Sequence, residues 1–189
     1  MSKGKCIILC APSGSGKTTL VKHLLDQHDL NLIFSISATT RKIREGEKNG
    51  KDYYYFTNKE FLEKIDNEIF LEYEEVYNGI FYGTLKDSVK DLLEDHNVIF
   101  DIDVEGGIKL KTVFKEDALA IFVKPPSINE LRNRLHFRNK ETRKSINIRL
   151  SKAKVELLKE KDFDEIILND DLKSAKIKAY NLVKEFLGN

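Results

Sequence analysis

Apolar and polar positions follow two rhythms along this chain. Cys6-Ile7-Ile8-Leu9-Cys10 is an unbroken apolar run of strand length, the pattern of a strand covered on both faces. After a glycine-rich stretch, Leu20, Val21, Leu24 and Leu25 recur at helical spacing and predict a helix from Lys17 to about His28. A strand is expected at about 31–36, then a polar, basic loop over 37–50. Tyr53-Tyr54-Tyr55-Phe56 reads as strand by its aromatic content. Thr57 or Asn58 caps a short helix to about Ile65. Runs at 69–76 and 79–84 read as two strands around Asn78-Gly79, a strong hairpin dipeptide.

The first rhythm then returns, with helix at 85–95, a buried strand at 98–103, helix at 105–114 and strand at 119–123. Pro125-Pro126 interrupts the chain and Ser127 caps the next helix. The basic stretch 129–159 is helical, with a break near Asn139. A strand at 165–168, a turn at Asn169-Asp170-Asp171 and a helix at 172–187 follow. Strands alternating with helices predict an α/β fold, a parallel sheet flanked by helices. Residues 35–84 form a strand-rich inset.

Composition narrows the partners. The chain has 189 residues, 41% hydrophobic and 33% charged, enough for one globular α/β domain. A formal net charge of +1 gives no argument for a nucleic-acid or membrane partner. No apolar run approaches the roughly 18 residues of a membrane helix, and no signal-peptide core precedes the first strand. Cys6 and Cys10 lie on one face of a strand, about 13 Å apart along it, too far to bridge. They read as small buried hydrophobes of a reducing, cytoplasmic compartment. His23, His28, His96 and His136 form no metal cluster.

The densest chemistry is Ala11-Pro12-Ser13-Gly14-Ser15-Gly16-Lys17-Thr18. A strand, a glycine-rich loop and a helix opening on Lys-Thr make a phosphate site. Backbone N–H groups and the helix dipole converge on one spot. Lys17 can reach the β- and γ-phosphates, and the Thr18 hydroxyl can ligate Mg²⁺. Ala11 stands where the strict pattern has Gly, which the turn tolerates while its φ stays negative. The bland reading is an ordinary strand–turn–helix corner; spacing and context argue against it. Asp101, closing an apolar strand, can hold Mg²⁺ or its water from the second side, or simply cap the next helix. Arg41 and Arg44 flank the basic loop. Arg134 and Arg138 share one helix face, and Arg149 lies three turns further on if that helix continues. Guanidinium forks match phosphate oxygens, although most such helices are solvated charged faces. Glu72, between Leu71 and Tyr73, offers two acceptors that match guanine N1–H and N2–H₂; by itself a strand acid facing water is the commoner case.

Further motifs join these. They are Ser35-Ile36-Ser37-Ala38-Thr39-Thr40-Arg41 with Arg44, Gly46 and Glu47; Gly50-Lys51-Asp52-Tyr53; Phe70-Leu71-Glu72-Tyr73; Tyr82-Gly83-Thr84; and Asp101-Ile102-Asp103-Val104-Glu105-Gly106. Pro125-Pro126-Ser127, the three later arginines and Asn169-Asp170-Asp171 complete the set. In this order they closely resemble guanylate kinases over nearly the whole chain.

The resemblance implies a P-loop NTPase-type core (1–34, 85–125 and 160–189), a GMP-binding inset (35–84) and a helical lid (126–159). It implies transfer of the γ-phosphoryl of ATP to GMP, and to dGMP, giving ADP and GDP in purine metabolism. ATP would be held by Ala11, Pro12, Ser13, Gly14, Ser15, Gly16, Lys17, Thr18 and Thr19, with Arg134, Arg138 and Asn169. Arg41, Arg44, Tyr53 and Tyr82 look like the clamp on the GMP phosphate. Ser37, Glu72, Gly83, Thr84 and Asp103 look like the guanine site, with Arg149 near GMP. Lys17, Arg44, Asp101, Arg134, Arg138 and Arg149 would carry catalysis, with Mg²⁺ at Thr18 and Asp101. The implied partners are small-molecule substrates, with no nucleic acid or membrane, for a monomer or homodimer.

The chain departs from the family at Ala11, at Ile43 where Pro is common, at Glu105 where Gln is common, and at Asn139 where Gly is usual. Glu105 is expected to add negative charge near the acceptor. Two rivals share the resemblance. Non-catalytic scaffold modules have degraded loops and lids, whereas Lys17, Thr18 and three lid arginines are present here. Another nucleoside-monophosphate kinase would lack the guanine readers.

Overall fold

The computed structural model describes residues 4–77, 79–137 and 143–188. The chain opens with β1 (Cys6–Cys10), α1 (Lys17–Leu25) and β2 (Leu32–Phe34). An inset follows of β3 (Ala38–Thr39), β4 (Tyr54–Tyr55), α2 (Asn58–Asp66), β5 (Phe70–Tyr77) and β6 (Ile80–Leu85). Then come α3 (Lys86–Asp95), β7 (Asn97–Ile102), α4 (Val104–Phe114), β8 (Ala118–Lys124), α5 (Ile128–Phe137), α6 (Arg143–Leu157), β9 (Glu165–Leu168) and α7 (Leu172–Leu187).

The core is a five-stranded sheet in the order β2-β7-β1-β8-β9, parallel throughout. Its central strand shows why the sequence carries continuous apolar runs. Ile7 and Leu9 pack against Leu20, Val21 and Leu24 of α1 and Ala175, Ala179 and Val183 of α7. Cys6, Ile8 and Cys10 point the other way, onto Val89 and Leu93 of α3 and Val104 and Leu110 of α4. Both faces are dry, so the alternation of one-sided sheets disappears. The two cysteines share a face, buried and unbridged.

The inset has its own four-stranded sheet, β4-β3-β6-β5. Phe61 of α2 packs on Ala38 and Phe70 beneath it. Thr57 caps α2 in a reciprocal box: its hydroxyl accepts from Glu60 N–H at 3.2 Å, and Glu60 accepts from Thr57 N–H at 2.7 Å.

Three boundaries differ from the pattern. α1 ends at Leu25, and a single 3₁₀ turn at His28–Leu30 leads to β2. The loop after Ser37 contains β3, which lies between β4 and β6 and is too short to show periodicity. Asp103 leaves β7 to cap α4, its Oδ1 accepting from Gly106 N–H at 3.0 Å. As expected from the break near Asn139, the basic stretch is two helices, and Leu131 and Leu135 of α5 pack on Ile146, Leu150 and Ala153 of α6. Arg149 therefore stands on a different helix from Arg134 rather than three turns along the same one. Asn78, Arg138 and Asn139 lie outside the described residues.

Candidate active site

β1 delivers the chain into the loop at Ala11, and α1 opens at Lys17. Gly16 has φ 94° and ψ 8°, a left-handed turn residue. A Cβ there would fall 2.2 Å from Asn169 Nδ2, so both conformation and space demand glycine. Among the described non-glycine residues only Asn31, Glu68 and Lys115 have positive φ. Ala11 thus keeps an ordinary backbone and accommodates its Cβ.

Strand register brings the acid to the loop. Leu9 of β1 pairs with Asp101 of β7, so Asp101 emerges at the same sheet edge as the loop. Its Oδ1 pairs with the Lys17 ammonium, and its Oδ2 accepts from the Thr18 hydroxyl at 2.7 Å. A hydroxyl and a carboxylate side by side are hard oxygen donors suited to Mg²⁺, with nucleotide phosphates and water to complete the shell.

Two residues brace the loop from behind. Asn169, almost fully buried, donates to the Ser15 carbonyl at 2.7 Å. Arg134 donates to the Asn169 carbonyl and to Glu130, both at 3.0 Å. In front, Arg149 Nη1 donates to Ser13 Oγ at 2.7 Å.

The inset supplies the opposite wall. Glu47 receives two guanidinium bonds from Arg41, at 3.0 and 2.9 Å. It also accepts from Arg44 N–H at 2.7 Å and from Tyr55 hydroxyl at 2.8 Å. Arg41 foremost, with the Arg44 amide and Tyr55, holds this carboxyl down at about 2. The Arg41 guanidinium lies 5.2 Å from the Tyr53 ring centre, and Tyr53 meets Tyr82 edge-on at 6.0 Å.

Deeper in, Glu72 and Thr84 are buried together. Burial pushes the Glu72 carboxyl up to about 7, against the opposing pull of the Thr84 hydroxyl. Gly106 of α4 sits so close that a Cβ there would be 2.7 Å from Glu72 Oε2. Asp103 and Glu156 line the same floor, joined by Lys152, which reaches Asp103 at 3.1 Å and Glu156 at 3.5 Å.

These walls enclose one cleft of about 910 Å³. It brings together Ala11 to Thr18, Ser37, Arg41, Arg44, Tyr53, Glu72, Tyr82, Gly83, Asp101, Asp103 and Arg149. Thr19, Thr84, Arg134 and Asn169 stand off its surface; Thr84 and Asn169 are buried behind it. Glu105, expected beside the acceptor, does not line the cleft. Its carboxylate is ion-paired with Lys159, in the turn that ends α6.

Sequence reasoning did not single out Glu47, Glu74, Ser145, Lys152 and Glu156 as site residues, and all five line the cleft. The α6 members had a readable signal. Arg149, Lys152 and Glu156 are spaced i, i+3, i+7, one face of a helix. Glu74 had none, because which acid of 72–75 turns inward depends on the β5–β6 register, and Glu47, in the loop between β3 and β4, had only its motif.

A family profile described as guanylate kinase matches residues 3–188. A guanylate kinase of Bacteroides fragilis is 50% identical over 187 residues, covering 98% of this chain and 91% of its own. One from Porphyromonas gingivalis is 45% identical, covering 97% and 98%. Among solved structures, the crystal structure of guanylate kinase from Anaplasma phagocytophilum superposes with a TM-score of 0.80 at 30% identity, covering all of this chain and 89% of that one.

Proposed function

The chain belongs to the guanylate kinase family and is a nucleoside-monophosphate kinase; we propose that it transfers the γ-phosphoryl group of ATP to GMP, and also to dGMP, releasing ADP and the diphosphate. The observation that carries this is the placing of two kinds of site on one cleft, a phosphate loop on the core wall and an acid–arginine wall on the inset.

The two substrates are both anions, so the problem is repulsion rather than proton removal. The attacking group is a phosphate oxygen, which needs no strong base. Loop N–H groups and Lys17 take the donor phosphates. Arg41, Arg44, Tyr53 and Tyr82 take the acceptor phosphate, and Glu47 holds the Arg41 fork in plane. Arg149, with Arg134 and Arg138, adds positive charge around the moving group. Glu72 receives guanine N1–H and N2–H₂, with Ser37, Gly83, Thr84 and Asp103 around the base. Bound at Thr18 and Asp101, Mg²⁺ would neutralise charge on the donor phosphates. The core, inset and lid divide as 1–34 with 85–125 and 160–189, 35–84, and 126–159. Closure of the last two over the substrates keeps water from the γ-phosphoryl.

We further assign the protein to the cytoplasm, in purine nucleotide metabolism and GMP recycling, as a monomer or homodimer that acts on small molecules without nucleic acid or membrane. Among the described residues no helix is long and apolar enough to cross a membrane. The test is ADP release with Mg²⁺ and ATP against GMP, dGMP, AMP, CMP and UMP. Turnover confined to the guanine nucleotides is expected. Turnover with another base discards the Glu72 assignment, and no turnover from folded protein discards the kinase reading of the cleft.

A further inference from the structure

One turn of α6 touches both halves of the cleft. Arg149 reaches the donor loop at Ser13, and Lys152, three residues on, reaches Asp103 Oδ2 at 3.1 Å. Asp103 Oδ1 is already committed to the Gly106 amide. Each carboxylate oxygen therefore has its own charged or dipolar partner, and rotation of the group is stopped. Lys152 also brings positive charge into a group of acids. Glu72 and Glu156 lie close enough to Asp103 to feel its charge, and Lys17 faces it from the loop. Without the Lys152 ammonium, Asp103 is repelled by two carboxyl groups and drawn towards Lys17, away from the base site.

We propose that Lys152 is a positioning residue for the acceptor: it holds the Asp103 carboxylate in place beside Glu72. This rests on the reading of Glu72 and Asp103 as the guanine site. A second lysine, in the turn that follows α6, provides the control. Lys159 pairs with Glu105, two residues beyond Asp103, and lines no part of the cleft.

The experiment is steady-state kinetics of the full chain with Lys152→Met, Lys152→Arg, Lys159→Met and Glu72→Gln, varying GMP and ATP separately. Lys152→Met is expected to raise KM for GMP about tenfold while kcat and KM for ATP stay within about twofold, as for a lost charged hydrogen bond on one substrate only. Lys152→Arg should restore most of the loss, and Lys159→Met should leave KM for GMP unchanged. An equal rise in Lys159→Met, or in both KM values of Lys152→Met, overturns the proposal in favour of simple helix docking. A GMP effect in Glu72→Gln without one in folded Lys152→Met overturns the positioning role alone. No GMP effect in either variant overturns the acceptor reading, and the proposal with it.

Discussion

Glu72 and Thr84 meet across the β5–β6 ladder: the Thr84 hydroxyl donates to Glu72 Oε1 at 2.6 Å, with both side chains buried. A carboxyl pushed up to about 7 in the fold, against 4.5 unfolded, binds its proton more tightly when native. Its contribution to stability is therefore full below about 4.5 and is lost as pH rises through 7, a change on the order of 3 kcal/mol. Glu72→Gln removes the titration. Without nucleotide, the variant is expected to gain stability over the native chain at pH 8 and to gain little at pH 5. Urea unfolding at both pH values measures this, and an equal shift at both rules it out. The same substitution should weaken GMP, since one acceptor becomes a donor.

Lys17 and Asp101 are partners across the sheet edge. Lys17→Ala removes the cation that the donor phosphates need and leaves Asp101 facing them. We expect kcat to fall by more than about a hundredfold, with the fold kept. Coupled ADP assays with circular dichroism decide it, and near-normal turnover from folded protein would remove Lys17 from the mechanism.

Glu47 is expected to behave as part of the phosphate clamp although it is an acid facing an anion. It aims Arg41, and losing it frees the fork. Glu47→Ala should raise KM for GMP about tenfold with KM for ATP unchanged. A fall in KM for GMP would instead show Glu47 to be a competitor for Arg41. Its low pKa means that the contact is intact above about 4.5 and lost only as pH falls towards 2, so the effect should be flat across pH 6–8.

Gly16→Ala places a methyl against Asn169 and forces a non-glycine residue to φ 94°. We expect a loss of roughly 1–3 kcal/mol of stability and a higher KM for ATP. Asn169→Ala removes the collision but also the hydrogen bond to the Ser15 carbonyl, so the comparison is a double-mutant cycle: in the Asn169→Ala background Gly16→Ala should cost less than in the native chain and still destabilise. No cost of Gly16→Ala in that background, in thermal melts, would show that strain contributes nothing.

The strands and helices of the core were legible because their signals are local. The unbroken run of β1, the i, i+3, i+4 pattern of α1 and the Gly-Lys-Thr corner each specify their own conformation. Ala11 could be judged tolerable in advance, since the cost of a Cβ depends on one backbone angle. Everything that depended on which elements meet had to wait for packing. Thr84 and Asn169 are polar residues whose place behind the cleft comes from strand register and a buried carbonyl. Glu105 turned from an expected neighbour of the acceptor into the partner of Lys159, fifty-four residues away. Lys152 shares a helix face with Arg149 in the sequence, but its partner is chosen only when α5 and α6 close on their shared apolar seam and turn it onto Asp103. Local chemistry is written residue by residue along the chain. The partner of a charge is chosen by the burial of distant apolar faces, which no single segment contains.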